Sequence, residues 1–137
     1  MADKQAVSNE EAAVRDVIEA WADAVRRKDY AGILQNHSLD FVMFDVPPPF
    51  RSVGLDAYRK TWDPFLSWSS DPVRFDIQEM DVAAGADVAF AFASMQCEGP
   101  GSDGKSEPLD FRLTMGLKKI DGRWMIAHEH HSVPATD

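Results

Sequence analysis

The sequence predicts an α+β domain in which three N-terminal helices pack in the concave face of a strongly bent, mostly antiparallel sheet. Three observations carry that expectation. Apolar residues recur at helical spacing through the first half of the chain; after Pro72 the period switches from near 3.6 to 2; and Asp121-Gly122 joins two β-patterned segments. Helices that precede a run of strands, with no alternation between them, segregate to one face of the sheet, and the space enclosed is a natural pocket.

Ser8-Asn9-Glu10-Glu11 has the capping-box pattern and predicts a helix start at Ser8. Val14, Val17, Ile18, Trp21 and Val25 then form one apolar stripe opposite Arg15, Glu19, Asp23 and Arg26. Asp29 can cap a second, shorter helix with an inner face of Tyr30, Ile33 and Leu34, ending near His37. Phe41 to Val46 is β-branched and aromatic and is stopped by Pro47-Pro48-Pro49, which cannot donate ladder hydrogen bonds. Gly54-Leu55-Asp56 leads into a third helix containing Tyr58, Trp62 and Phe65, disturbed at Pro64 and over by Ser69-Ser70-Asp71-Pro72.

Val73, Phe75 and Ile77 alternate with polar residues until the pattern slips at Glu79-Met80-Asp81-Val82, which predicts a bulge. Bulky Val88, Phe90 and Phe92 alternate with Ala89, Ala91 and Ala93, so this segment reads as a central strand covered on both faces. Glu98 to Ser106 reads as a flexible surface loop. The last two strands flank Asp121-Gly122, a strong hairpin signal because both residues tolerate positive φ. Strict alternation puts Trp124, Ile126, His128, His130 and Ser132 on one face of the final strand and Met125, Ala127, Glu129 and His131 on the other.

The chain has 137 residues, 45% of them hydrophobic, the size and content of a single domain spanning 1–137. A net charge of −9, spread along the chain, argues against nucleic acid and anionic membrane as partners. Cys97, the lone cysteine, excludes an internal disulfide, fits a reducing compartment and reads as a small apolar side chain. The first dozen residues carry Asp3, Lys4, Glu10 and Glu11 without an apolar targeting segment, so the cytoplasm is the expected location.

In their order, four segments resemble the nuclear-transport-factor-like and ketosteroid-isomerase-like superfamily, and within it the SnoaL-like proteins. They are Val17-Ile18-Glu19-Ala20-Trp21 through Lys28-Asp29, Phe44-Asp45-Val46-Pro47, Gly54-Leu55-Asp56-Ala57-Tyr58-Arg59, and Asp121-Gly122-Arg123-Trp124 through His128-Glu129-His130-His131-Ser132. The resemblance implies a cystatin-like cone. It leaves activity open, since isomerases, dehydratases, cyclases, transport factors and oligomerisation modules share the fold. It also implies a role for Asp45, which occupies the place of the isomerase general base just before a Pro-containing loop. Two departures separate this chain from the steroid isomerases: Trp21 stands where the first-helix Tyr is expected, and the second acid falls at or close to Thr114.

Asp45 is thus either a pocket base or a carboxylate accepting amide hydrogen bonds at the proline loop. His128 and His130 are candidate acid–base partners, because imidazole needs little perturbation to work at neutral pH. The His128-x-His130 pair could chelate a metal, but the run lacks the helical spacing of zinc proteases, and neither metal nor cofactor is expected. Arg112 and Thr114 share one face of the preceding strand. A three-residue connection at the hairpin would set them opposite His130 and His128 as an anion site, whereas a two-residue turn would set Leu113 and Met115 there. Trp21, Tyr58 and Trp62 read as pocket wall for an apolar or aromatic ligand.

These residues support a small-molecule pocket protein, either an isomerase-like or dehydratase-like acid–base enzyme or a non-catalytic ligand-binding or oligomerisation module. A homodimer through the outer sheet face is also expected, with Leu113, Met115 and Leu117 forming the apolar patch on a sheet of five strands.

Overall fold

In the computed structural model, which describes residues 4–69, 73–100 and 103–135, the first apolar stripe becomes the inner face of helix α1, Lys4–Arg26. The helix begins before the capping box, so Ser8 lies inside it; Lys4, Gln5 and Ala6 favour helix well enough to extend it upstream. Val14, Ile18, Trp21 and Val25 are buried. Asp29 caps α2, Tyr30–Leu34, by accepting from the Gly32 amide at 3.2 Å, and Ile33 anchors that short helix in the core. It stops three residues short of His37, which opens strand β1, His37–Phe44. After the prolines comes a two-residue strand, β2, Ser52–Val53, that the sequence does not announce.

Gly54, at φ 87°, precedes α3, Leu55–Trp68. Pro64 removes one helical donor, yet the helix runs on to Trp68 because Trp62 and Leu66 on either side are buried. The sheet then builds through β3, Phe75–Ala84, β4, Val88–Pro100, β5, Ser106–Ile120, and β6, Arg123–Ser132. Strand order is β2-β1-β6-β5-β4-β3, a sixth strand beyond the five expected. Every pairing is antiparallel except β1 with β6. Ladder pairing continues out to Pro100 and Ser106, so both ends of the segment expected as a flexible loop over 98–106 are strand. Residues 70–72, where the third helix was expected to end, and residues 101–102, within the expected loop, lie outside the described residues.

Three irregularities bend the sheet. The one in β3 falls between Ile77 and Glu79, slightly ahead of the expected slip. At the β5–β6 hairpin, Asp121 at φ 51° and Gly122 at φ 79° close a two-residue turn that pairs Ile120 with Arg123. The pairing then shifts by one residue, from Leu117 with Ile126 to Gly116 with His128, leaving Ala127 as the extra residue of a bulge. Beside it, β1 shifts between His37 and Val42 against the same stretch of β6.

The core lies between the helices and the concave face. Leu113, Met115 and Leu117 belong to it and are not the outer patch expected of them, because the odd positions of β5 face the helices. The convex face presents Val88, Phe90 and Phe92 instead, at 62%, 52% and 50% exposure. The small alanines of β4 turn inward and are buried while its bulky residues stay exposed, so the central strand is covered on one face only. Among the described residues no helix is long and apolar enough to cross a membrane.

Candidate functional site

A cavity of about 780 Å³ opens between α3, the proline segment and the concave face of the sheet. Its walls are largely apolar and include four aromatic rings: Trp62 and Phe65 from α3, Phe75 from β3 and Phe111 from β5. Exposed Pro47, Pro48 and Pro49 mark the mouth. The ionisable groups that reach it are Asp45, at the end of β1, His131 on β6, and Arg51 and Lys60, together with the thiol of Cys97.

The bulge at Ala127 decides which end of β6 faces this space. Trp124 and Ile126 are buried on the inner face, as alternation predicts. The extra residue reverses the alternation, so the next inward residues are Glu129 and His131. His128 and His130 turn to the other side of the sheet, where their rings meet Phe44 at 4.8 and 5.5 Å. His128 Nδ1 lies 2.7 Å from the Val42 carbonyl and must donate to it, because a carbonyl only accepts. Thr114 pairs with His130 as an exposed neighbour, and Arg112 Nε donates to Ser132 Oγ at 3.0 Å on the same outer surface. The structure thus gathers His128, His130, Arg112 and Thr114 on the convex face, away from the cavity that holds Asp45 and Trp62. His130 lines a shallow depression outside the proline loop, with Phe44 and Phe50. The expected three-residue connection is replaced by a two-residue turn plus a bulge.

Behind the cavity wall lies a polar network that sequence reasoning missed. Glu129 is fully buried. Its carboxylate takes His37 Nε2 at 2.8 Å on one oxygen and His131 Nε2 at 3.0 Å on the other. His37 Nδ1 sits 3.0 Å from the Gln35 carbonyl, which fixes a proton on that nitrogen. Trp21 Nε1 donates to the Tyr58 hydroxyl at 2.8 Å, and the Glu129 carboxylate disfavours charge on that hydroxyl. The Trp62 indole favours charge on that oxygen but makes no hydrogen bond of good geometry. Trp21 and Tyr58 therefore support the site from behind, and Trp62 forms its wall. His37 stacks on Tyr58 with ring centroids 4.9 Å apart.

His131 links the network to the cavity. With Nε2 held by Glu129, its Nδ1 is 3.7 Å from Asp45 Oδ1. Asp45 also accepts the Val46 amide at 2.8 Å, so it anchors the proline loop and faces the imidazole at once. Burial opposes ionisation of Glu129, but hydrogen bonds from His131 and His37, and their charge, outweigh it and hold the carboxyl down at about 2. Burial likewise works against a charged His131, yet the Glu129 hydrogen bond and the charges of Glu129 and Asp45 raise it above the ordinary imidazole value. Burial first, then Glu129, pushes the Tyr58 hydroxyl well above the phenol range, so it stays a donor. Burial with Glu98 and Asp110 pushes the Cys97 thiol up to about 11, which leaves it a neutral wall group. Among the described residues no cluster of three or more His, Cys, Asp and Glu side chains is arranged to hold a metal ion.

A weak signal for this arrangement is present in the sequence. The odd residues Phe111 to Leu117 are uniformly apolar and must face the helices, so the residues of β6 beside them share the pocket face. A run of His-Glu-His-His permits either phase, and only the bulge chooses.

Comparisons place the chain among known folds. A family model described as the SnoaL-like domain matches residues 14–136. The crystal structure of an NTF2-like protein of unknown function from Pseudomonas putida KT2440 is 33% identical, covers 93% of this chain and 88% of its own, and has a TM-score of 0.82. A ketosteroid isomerase-like protein from Erwinia carotovora atroseptica SCRI1043 shares the fold at 22% identity, with coverage of 91% and 98% and a TM-score of 0.75. An NTF2-like superfamily protein from Salmonella enterica serovar Typhimurium LT2 does so at 15% identity, 94% coverage of each chain and a TM-score of 0.79. No curated protein matches significantly.

The two shifts in the buried network set a pH signature. Glu129 is held below its ordinary value of 4.5, so its contribution to stability is complete above about pH 4.5 and drains as pH falls toward 2. His131 is raised above 6.5, so its contribution is complete below about pH 6.5 and drains as pH rises through the raised value. Urea denaturation of wild type and Glu129→Gln across this range measures it. The stability difference between the two should be largest on the plateau and shrink on both sides, whereas a difference independent of pH contradicts the network.

Proposed function

Because the chain belongs to the SnoaL-like, NTF2-like family, whose fold leaves chemistry to the site residues, we propose that it is a cofactor-free acid–base enzyme. Its substrate is a small, largely apolar or aromatic molecule held in the cavity. The observation that carries this reading is the His131 imidazole, oriented from behind by a buried carboxylate and set 3.7 Å from Asp45 at the cavity. Such a pair offers a proton acceptor and a proton donor side by side in a low-dielectric space.

In this reading Asp45 removes a proton from a carbon next to a carbonyl, and the electron pair left behind moves into an enolate. His131, raised toward the imidazolium form, returns a proton, either to another carbon, completing an isomerisation, or to a departing hydroxyl, completing a dehydration. Glu129, with His37 and Tyr58 behind it, is a positioning group that fixes the imidazole tautomer and orientation. Trp62 and the phenylalanines supply apolar contact. The lone thiol and the charge of −9 fit a cytoplasmic setting.

The exposed Val88, Phe90 and Phe92 favour a homodimer through the convex face, with Thr114, His128 and His130 beside them. The dimer is compatible with the enzyme and is also what a non-catalytic module would need. Light scattering at micromolar concentration should give twice the chain mass of 15.3 kDa, and Phe92→Glu should give the monomer. A monomeric wild type removes the dimer.

Small aromatic and polyketide-like ketones and acids, screened by thermal shift and then followed by NMR in deuterated water, test the activity. Wild type should exchange the acidic C–H protons of a bound ketone. Asp45→Asn should bind within a few-fold of wild type yet lose exchange by at least about 100-fold, as expected for removal of a general base, and His131→Asn should lose a comparable amount. Binding without exchange by wild type would favour the non-catalytic module.

A further inference from the structure

Two cations at the cavity have no work within the fold. Among the described residues, neither Arg51, between the proline segment and β2, nor Lys60, on α3, makes a hydrogen bond or ion pair. Several other arginines of this acidic chain are engaged: Arg27 holds Asp23 and Asp29, Arg123 holds Asn36, Arg112 holds Ser132, and Arg59 lies over the Tyr30 ring, while Arg74, away from the cavity lining, is like Arg51 without such a contact. With 23 acidic side chains against 14 Lys and Arg, an unpartnered guanidinium is not for want of carboxylates. Two nearby carboxylates are committed elsewhere and a third stands away from the cavity. Asp63 accepts the Tyr30 hydroxyl, Asp45 takes the Val46 amide and faces His131, and Asp56, one turn before Lys60, is exposed and does not line the cavity.

The charge balance of the lining is therefore opposite to that of the protein. Arg51 and Lys60 outnumber Asp45 two to one around the cavity, in a chain whose net charge is −9. The remaining wall is chiefly aromatic and aliphatic, and an apolar wall alone would admit neutral ligands as readily as charged ones. Both cations are exposed, so a bound anion keeps part of its hydration while gaining charge-assisted hydrogen bonds, one partner offering a planar fork and the other a mobile point charge.

We infer that the cavity selects an amphiphilic organic carboxylate, its aromatic or polycyclic body between Trp62, Phe65, Phe75 and Phe111 and its carboxylate at the mouth between Arg51 and Lys60. This rests on the cavity being the ligand site of the preceding reading and adds the substrate class. Arg51 and Lys60 set specificity and take no part in moving protons. The anionic group also fixes which end of the ligand enters first, so the apolar end passes Asp45 and His131 in one orientation.

A matched pair of probes tests it: 1-naphthylacetic acid and its neutral isostere 1-naphthylacetamide, titrated calorimetrically against the full chain. The acid should bind about tenfold tighter than the amide at low salt, and the advantage should shrink as salt rises. Arg51→Gln and Lys60→Gln should each reduce the ratio, and the double variant should bring it near one while leaving amide affinity unchanged. Arg74→Gln, an exposed cation away from the cavity lining, should leave the ratio as in wild type. Equal binding of both probes by wild type, or a preference that survives the double variant, overturns the carboxylate inference and leaves the cavity reading standing. Binding of neither probe counts against the cavity as a ligand site and so against both.

Discussion

A carboxylate in the centre of the protein constrains everything around it. Glu129 is wholly excluded from water, and an isolated charge there would be prohibitive. It is tolerated because donors arrive from separate parts of the fold: His37 from β1 and His131 from β6. Removing one partner of such a set costs about 3–5 kcal/mol, because the remaining charge stays buried. A hydrophobic residue of similar volume would stabilise the core at least as well, so the ion is better understood through what it orients than through what it stabilises. What it orients is the one imidazole that meets the cavity.

The same geometry explains which parts of the fold could be read from the residues. Helices announce themselves through apolar stripes, and Asp29, Gly54 and Asp121-Gly122 mark their own caps and turns, so the order of helices and strands follows directly. The inner face of β6 does not. Alternation is reliable only while a strand stays regular, and one extra residue at Ala127 exchanges His128 and His130 for Glu129 and His131. Alanine carries no chemical mark of a bulge. His37 was hidden for a related reason: it reads as the end of a short helix, whereas it opens a strand whose own irregularity brings it beneath the network. Asp45 came forward only through the family resemblance, in which it occupies the place of the isomerase general base just before a Pro-containing loop.

Family membership and fold say little about chemistry here, since the same cone serves proteins with different site residues. In this chain labour is divided around one cavity. A buried carboxylate orients the imidazole, Asp45 faces it, aromatic and aliphatic side chains line the cavity, and two unpartnered cations, Arg51 and Lys60, line it as well. The outer face carries the exposed aromatics and the two other histidines of β6, on the side of the sheet opposite the cavity.

The central claim, that Glu129 holds His131 by Nε2 and leaves Nδ1 to the cavity, is tested most directly by nitrogen-15 NMR of the histidine rings across a pH titration. His131 should titrate above the ordinary imidazole value of 6.5, carry its remaining proton on Nε2 once neutral, and move downward in Glu129→Gln. A His131 that titrates at or below the ordinary value, keeps its neutral proton on Nδ1, or titrates unchanged in Glu129→Gln would contradict the account.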